Sequence, residues 1–588
     1  MPLSPTPELR ASHRMLAAAA VVSAAVCVLL VIQGRDITTS LGDTDDAMRL
    51  SMVRDLLGGR GWYDQWIGRL QPPLGVYMHW SRLLDGALAA VTAALRVVLP
   101  PGQAEWAMRF FWPLAWVFPV TLAGLAVARN LGARSAAFIC AVLLALDTSM
   151  FVQFRPGRID HHNIQITMAV AACACALVQG ETRARWAVMA GIASGLGLAI
   201  GVEALAFHAL IGAAYGLRLA FDPADARTAR AYGLSLAAAS LGFFLVQTPP
   251  IHWLTPYCDA LGSNLVSTLI ISGLGLAAAS LATKSASTRI ALLALSGLAA
   301  ASAYILSDPI CLRGPFGAVD PRVRPFWFDH IQELEDWPAL FRDDKAAAVH
   351  SIVIGVLGAL AGLWLIIRGR KTPFRGDLLL AACAFVAVVA ETKAYRMEDY
   401  GLWFGTPALA VALGDAAAWF AKDKMIPSAL MAIALSPTTV GDAVILALLH
   451  GPPAPKTASA DHCDDVAAFG PLGRLPRGVV LAEPDIGAEV MANTRDAALS
   501  APYHRMTWGI LAAHETLAAP SDKAEGEARA LGATYIVDCP AHVLRTPPVS
   551  LNADLRSGHS PTWLIPRSKP GDALQIFQVA PASPQPRP

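Results

Sequence analysis

The sequence predicts a mainly α-helical protein that crosses a membrane many times and carries a small α/β domain at its C-terminal end. Three observations predict this. The 588 residues are 55% hydrophobic and 15% charged, with a mean hydropathy of +0.46, outside the balance of a soluble protein of this length. Apolar runs of membrane length recur from near residue 15 to near 449. Beyond about residue 450 the hydropathy is lost and Pro, Gly and charge rise. The net charge of +1, with no Lys/Arg cluster interleaved with aromatics, excludes a nucleic-acid partner.

In chain order, a basic flank and an apolar core of nearly 20 residues without a small-x-small cleavage site predict an uncleaved signal anchor at the N-terminus. Thirteen candidate spans follow the pattern 15–33, 104–128, 134–153, 164–180, 186–202, 204–220, 231–248, 263–282, 289–306, 347–367, 377–391, 401–420 and 425–449. With the N-terminus cytoplasmic, alternate loops carry Arg129 and Arg134, Arg183 and Arg185, Arg227 and Arg230, Lys284 and Arg289, the group Arg368, Arg370, Lys371 and Arg375, and Lys422 with Lys424. All fall on the cytoplasmic side, as the positive-inside rule requires. Residues 84–98 are apolar but short and end in Pro-Pro, which predicts a helix lying on or partly in the outer surface. The expected organisation is a transmembrane catalytic domain over 1–450, with long external loops at 34–101, 154–163 and 307–345, and a soluble periplasmic domain over 451–588. In that last part, strand-like "RGVVLAE" and "ATYIVDC" alternate with helical stretches. Five of the nine cysteines lie in spans, whereas Cys463 and Cys539 share the external domain, where a disulfide is permitted.

Three external loops concentrate carboxylates. Loop one holds "GDTDDAMR", with Asp43, Asp45 and Asp46. Loop two holds "RPGRIDHHNIQI", with Asp160, His161 and His162, and the long loop before the tenth span holds "FDHIQELEDW", with Asp329, Glu333, Glu335 and Asp336. Solvated acids need no further explanation, but Asp160 lies a few residues from hydrocarbon on both sides. Burying it there without a partner would cost several kcal/mol, a cost that a divalent cation removes. Carboxylates select Mg²⁺ or Mn²⁺, and an imidazole among them leans toward Mn²⁺ over Ca²⁺. The nearby Cys/His spacing does not suit a structural zinc site. On the same side "ETKAYRMEDYGLWFGTP" supplies Lys393 and Arg396 at the mouth of the twelfth span, either as interfacial snorkels or as contacts to a phosphate-bearing lipid. Glu203, near the external end of two adjoining spans, reads as a structural hydrogen-bonding acid, with a place on the site wall as the alternative.

These residues resemble the GT-C glycosyltransferases, and among them the membrane catalytic subunit of oligosaccharyltransferase. The resemblance covers most of the chain and rests on "DDAMRLSMVRD", which places the family's two loop-one acids at Asp45 and Asp55. It rests also on "GRIDHH", giving Asp160 with His162 in place of a second acid, on "HIQE", giving the catalytic glutamate as Glu333, and on Arg396, where the family's Arg contacts the lipid pyrophosphate. The family's Trp-Trp-Asp acceptor signature is replaced by "LAEPDIGAEV", which keeps Asp485 and lacks both tryptophans. Loop one's "PPLG" and "MHWSRL", and "APYHRM" at 501–506, resemble motifs of a bacterial branch of uncharacterised GT-C-like proteins and assign no acceptor.

The resemblance implies a metal-dependent, inverting transfer of a sugar or oligosaccharide from a polyprenyl-(pyro)phosphate donor at the periplasmic face of a bacterial inner membrane. Asp45, Asp160 and Glu333 would be catalytic, joined by His162 as ligands of Mn²⁺ or Mg²⁺. Arg396, His161, Arg158, Arg155 and Lys393 would bind substrate, with Asp485 on the acceptor side. Two alternatives stay open, a monosaccharide transferase using a polyprenyl-monophosphate sugar and a transporter or flippase. The latter would be expected to show repeat symmetry and charges inside its spans.

Overall fold

A computed structural model of the chain describes residues 7–34, 36–132, 135–282, 284–369, 376–420, 422, 424–448, 462–569 and 571–581. Arg134, Arg370, Lys371 and Arg375 of the basic loops, and the junction at 449–461, lie outside the described residues. Each of the thirteen apolar segments coincides with helix. Among the described residues, five helices are long and apolar enough to cross a membrane, namely His13–Gln33, Pro101–Leu131, Pro223–Gln247, Ala286–Ser307 and Lys345–Gly369. Two further segments are bent at a break, Ala136–Leu146 with Thr148–Phe154 and Met425–Ala434 with Pro437–Leu448, and bring the number to seven if each pair is one span. The shorter apolar helices His162–Ala176, Leu205–Phe221 and Ser263–Ala279 pack beside them. This is a multi-pass membrane protein.

Small residues set how closely these helices approach. Gly191 and Gly195, one turn apart on Arg183–Ile200, face Ala226–Gln247, where an added Cβ would lie 2.7 Å from the Tyr232 carbonyl oxygen and 2.9 Å from the Ala239 Cβ. Lipid offers no hydrophobic drive for helices to associate, so close packing of this kind supplies the attraction. Conversely, Ala286–Ser307 fully buries only Arg289 and Ala300 and turns Leu295, Leu298 and Leu306 outward.

Loop one is not a loose excursion. Helix Thr44–Leu57 packs on Arg82–Leu95, and the two share a buried ion pair in which Arg49 donates to Asp85 at 2.6 Å, with Arg82 3.3 Å from the same carboxylate. The short apolar stretch read as a surface helix is therefore anchored on one face, where Arg82, Leu84, Asp85, Leu88 and Thr92 are buried. Between the two helices, β1 (Trp66–Ile67) and β2 (Val76–Tyr77) form a short antiparallel pair.

The C-terminal region is built on a five-stranded sheet of β3 (Val479–Ala482), β4 (Ala497–Ala498), β5 (Tyr535–Asp538), β6 (Leu564–Pro566) and β7 (Gln575–Val579), in the order β4-β3-β5-β7-β6. β3 runs parallel to β4 and β5, and β7 runs antiparallel to β5 and β6. The open edge at β4 is covered by loop one, since Ala498 N–H donates to Arg69 O and Gln71 N–H donates to Ala498 O. Arg69 then donates to the carbonyls of Met491, Thr494 and Asp496. These bonds seat the C-terminal region on loop one. Cys463 bonds Cys539, as the sequence permitted, and Cys258 bonds Cys311, a pair that the sequence reading passed over.

The parity of basic loops makes a topological prediction. Cysteine-labelling reporters at Gly369 should read cytoplasmic, and those at Asp320 and Ser500 external. An external signal from Gly369 would overturn the assignment.

Candidate functional site

The site grows from one helix start. Asp43 caps Thr44–Leu57, accepting from the amides of Asp45 and Asp46 at 3.0 Å each, and Asp46 at the third helical position accepts from the Asp43 amide at 3.3 Å. This is a reciprocal capping box with an aspartate in the place usual for Glu or Gln. Asp46 has a second task. Its Oδ1 accepts from the amides of Ile159 (2.6 Å) and Asp160 (3.0 Å), fastening loop two to loop one in the fully buried interior. Asp160 in turn accepts from the His162 amide at 3.1 Å, fixing the start of helix His162–Ala176.

Arg158 is placed among these acids. It donates to Asp43 and lies 3.0 Å from Asp46 and 3.2 Å from Asp160. One guanidinium thus faces three carboxylates. Burial opposes the charge on Asp160, yet the neighbouring His162 and Arg158 hold its carboxyl well below the usual range.

A second cluster adjoins the first. Arg396, in the short turn Tyr395–Met397, reaches Glu203 at 3.2 Å and Glu333 at 3.2 Å, and its Nη2 lies 2.6 Å from His162 Nε2. Glu203 is also 3.1 Å from His162 Nδ1 and 3.5 Å from His161 Nε2. Burial works against its charge, but Arg396 and His162 keep the carboxyl far below its ordinary range. The turn before it must be slim, because a Cβ on Gly201 would meet the Gln165 amide nitrogen at 2.0 Å. The long loop is tied in through its backbone, Tyr395 N–H donating to Glu335 O at 2.9 Å.

Both clusters border one cavity of about 1500 Å³. Asp43, Asp45, His161, Glu203, Glu333, Lys393, Arg396 and Asp485 line it, while Asp160, His162, Arg158 and Arg155 are not among its lining residues. Asp45, in the first turn of its helix, is pushed up to about 8 by burial and by the charges of Asp43, Asp160 and Glu333. Asp485, at the start of helix Pro484–Asn493, rises to about 6 through burial and the charge of Glu483.

The structure therefore gathers Asp45, Asp160, His161, His162, Glu333 and Arg396. It keeps Asp55 apart, in an ion pair with Arg60 at 3.1 Å near the far end of the helix. Arg158, expected on the substrate side, is engaged by acids. Glu203, read as a structural acid, lies on the cavity wall and joins both histidines to Arg396. The sequence signal for Asp43 and Asp46 was their capping spacing. For Glu203 it was only the break "GVEAL" between two spans.

Two groups bring donors within 4.8 Å of one another: an oxygen each from Asp43, Asp46 and Asp160, the three acids around Arg158, and an oxygen of Asp160 with a ring nitrogen each from His161 and His162. Asp45 and Glu333 belong to neither group. Asp45 is a carboxyl that added positive charge would ionise.

No family model and no curated protein matches the sequence. Among solved structures, archaeal oligosaccharyltransferase AglB from Archaeoglobus fulgidus, in complex with an inhibitory peptide and a dolichol-phosphate, matches with a TM-score of 0.64 at 15% identity, over 90% of this chain and 69% of that one. The apo oligosaccharyltransferase of the same organism gives 0.65 at 16%, with the same coverage. Its complex with Zn and sulfate gives 0.61 at 16%, over 90% and 68%. The chain has the oligosaccharyltransferase fold. Its acid-lined cavity draws on loop one, residues 199–206 and 247–265, the long loop, the turn before Glu398–Phe420 and the C-terminal region, whose "LAEPDIGAEV" lacks paired tryptophans.

Adjacent aspartates should behave oppositely. Asp46→Ala removes the cap and the bonds to loop two, and should lower thermal stability by about 1–3 kcal/mol. Asp45→Asn should not. In cation-free protein the folded Asp45 keeps its proton up to about 8, whereas an unfolded aspartate releases it near about 4, so wild-type stability falls as pH rises across that window. Melting curves against pH in excess chelator should show a slope that Asp45→Asn reduces.

Proposed function

We propose that the protein is a glycosyltransferase that moves a sugar or oligosaccharide from a polyprenyl-(pyro)phosphate lipid to an acceptor at the periplasmic face of a bacterial inner membrane. The observation that carries this reading is the meeting of Asp45, Glu203, Glu333 and Arg396 on one cavity wall of an oligosaccharyltransferase fold. Two features support the external side. The basic loops fall on one parity, and both disulfides lie in segments of the opposite parity, as an oxidising compartment requires. The dolichol-phosphate in the archaeal complex is consistent with a lipid-linked donor here.

The chemistry is a single displacement with inversion. An acceptor atom attacks the anomeric carbon while the carbon–oxygen bond to phosphate breaks and its electrons pass to the phosphate. Arg396 lines the cavity between Glu203 and Glu333, and Lys393 lines it nearby. Both would stabilise the leaving oxyanion. Asp45 or Glu333 would orient the acceptor and take its proton. A divalent cation, Mn²⁺ or Mg²⁺, held by Asp45, Asp160, His162 and Glu333, would supply Lewis-acid stabilisation of the same phosphate. Arg158 favours the charged forms of Asp43 and Asp160 and keeps the three acids in register, and Asp485 lies on the acceptor side. Loss of the paired tryptophans argues against an Asn-x-Ser/Thr peptide as acceptor.

Deletion of the gene, followed by mass spectrometry of envelope polysaccharides, lipids and glycoproteins, should reveal a missing saccharide that wild-type protein restores. Asp160→Asn, Asp45→Asn and Glu333→Gln should each fail to restore it while still accumulating in the membrane. Pairs should be no worse than singles, because residues acting as one unit are not additive. An unchanged envelope, or full restoration by Asp160→Asn, would contradict the reading.

A further inference from the structure

A second group of ionisable side chains lies on the same cavity, apart from the acids. It joins the motifs left unassigned by sequence, "MHWSRL" and "APYHRM". His79 comes from loop one, His504 from the C-terminal region, and Asp259 from the segment 248–262, beside the disulfide partner Cys258. The Cys258–Cys311 bond ties this segment to the loop before Phe316, whose ring meets that of His504 edge-on at 5.2 Å. One atom each from His79, Asp259 and His504 falls within 4.8 Å of the others.

The bonding around the group is incomplete at one place. Asp259 is held by Arg505, Nη2 to Oδ1 at 2.7 Å and Nε to Oδ2 at 2.9 Å, and lies 2.7 Å from His504 Nε2. His79 is different. Its Nε2 stands 3.7 Å from Asp259 Oδ2, beyond hydrogen-bond distance, and its buried Nδ1 has no hydrogen-bond partner. Its ring meets that of His504 at 62° with centroids 5.0 Å apart. His79 lines the cavity and its Nε2 has no hydrogen-bond partner there. The space between His79 Nε2, Asp259 Oδ2 and His504 Nε2 is where one ion would meet all three donors.

We propose that His79, Asp259 and His504 form a binding site for a divalent transition-metal ion of the zinc class. Two imidazoles and one carboxylate are the protein donors of open zinc sites, which leave the remaining coordination positions to water or substrate. Imidazole donors favour such ions over Mg²⁺ and Ca²⁺, which separates this site from the carboxylate-rich one across the cavity. Arg505 acts from behind the ligand, orienting the carboxylate as outer partners of metal-bound carboxylates do. The three ligands come from three separate parts of the chain, so the ion would also tie the C-terminal region to loop one and to segment 248–262. This site does not depend on the transferase reading, since its test needs no sugar donor or acceptor.

The test is titration of the purified, chelator-stripped full chain with Co²⁺ alone, read by the visible absorption of the bound ion. To silence the acidic centre, the protein carries Asp45→Asn and Asp160→Asn throughout. The expected result is one saturable site, with His79→Ala and His504→Ala each weakening it by more than about 100-fold, beyond the loss from removing an outer partner. Should the alanine variants fail to fold, X-ray absorption at the cobalt edge of the parent protein decides, and scattering from two imidazole rings is expected. Absence of a saturable site in the parent, binding unchanged by His504→Ala, or a cobalt environment without imidazole would overturn the proposal.

Discussion

Asp46 is the residue on which the site depends. Its carboxylate closes the first turn of Thr44–Leu57 and holds the amides of Ile159 and Asp160, so one buried side chain sets the register of loop two against loop one. Burial pushes the Asp46 carboxyl well above its usual range against the pull of Arg158, and a buried donor left without its acceptor costs about 1–3 kcal/mol. Loop two has only a few residues between Thr148–Phe154 and His162–Ala176. With so little chain, fixing two of its amides fixes where Asp160 and both histidines point.

From that staple outward, charges alternate. Arg158 sits among Asp43, Asp46 and Asp160, while Arg396 sits among Glu203, Glu333 and His162. The interior so assembled keeps an excess of acid, most evident at Asp45, which burial and its neighbours leave reluctant to ionise. That excess is the physical reason a cation would be held there, and in the proposed function that cation and Arg396 together would offset the charge of a phosphate. Arg396 contributes from a turn whose backbone is bonded to the loop that carries Glu333, so the long loop and the turn are joined directly.

Much of this was legible from composition and short motifs. Each of the thirteen apolar runs overlaps helix, though five to seven helices among the described residues are long and apolar enough to span, and the alternation of short strands and helices after residue 450 became the mixed sheet. Asp160, His162, Glu333 and Arg396 were found through local motifs, and they do meet. What escaped was chemistry that depends on distant partners. Arg158 looked like a phosphate ligand because Asp43 and Asp46, more than a hundred residues earlier, could not be seen as its neighbours. Glu203 looked structural because its bonds to His161, His162 and Arg396 exist only after the spans pack. Cys258 and Cys311 escaped for the same reason, lying in two loops with an apolar helix pair between them. The capping spacing of Asp43 and Asp46, by contrast, is a local signal present in the sequence.

The central claim is that this cavity holds a lipid phosphate between a cation-binding acidic centre and Arg396. It is tested most directly by binding of a short-chain polyprenyl phosphate to the purified protein in lipid nanodiscs, with Mn²⁺ or with chelator, for wild type and Arg396→Gln. The account predicts saturable binding that weakens when either the cation or Arg396 is removed. Binding of equal strength in Arg396→Gln with excess chelator would contradict it.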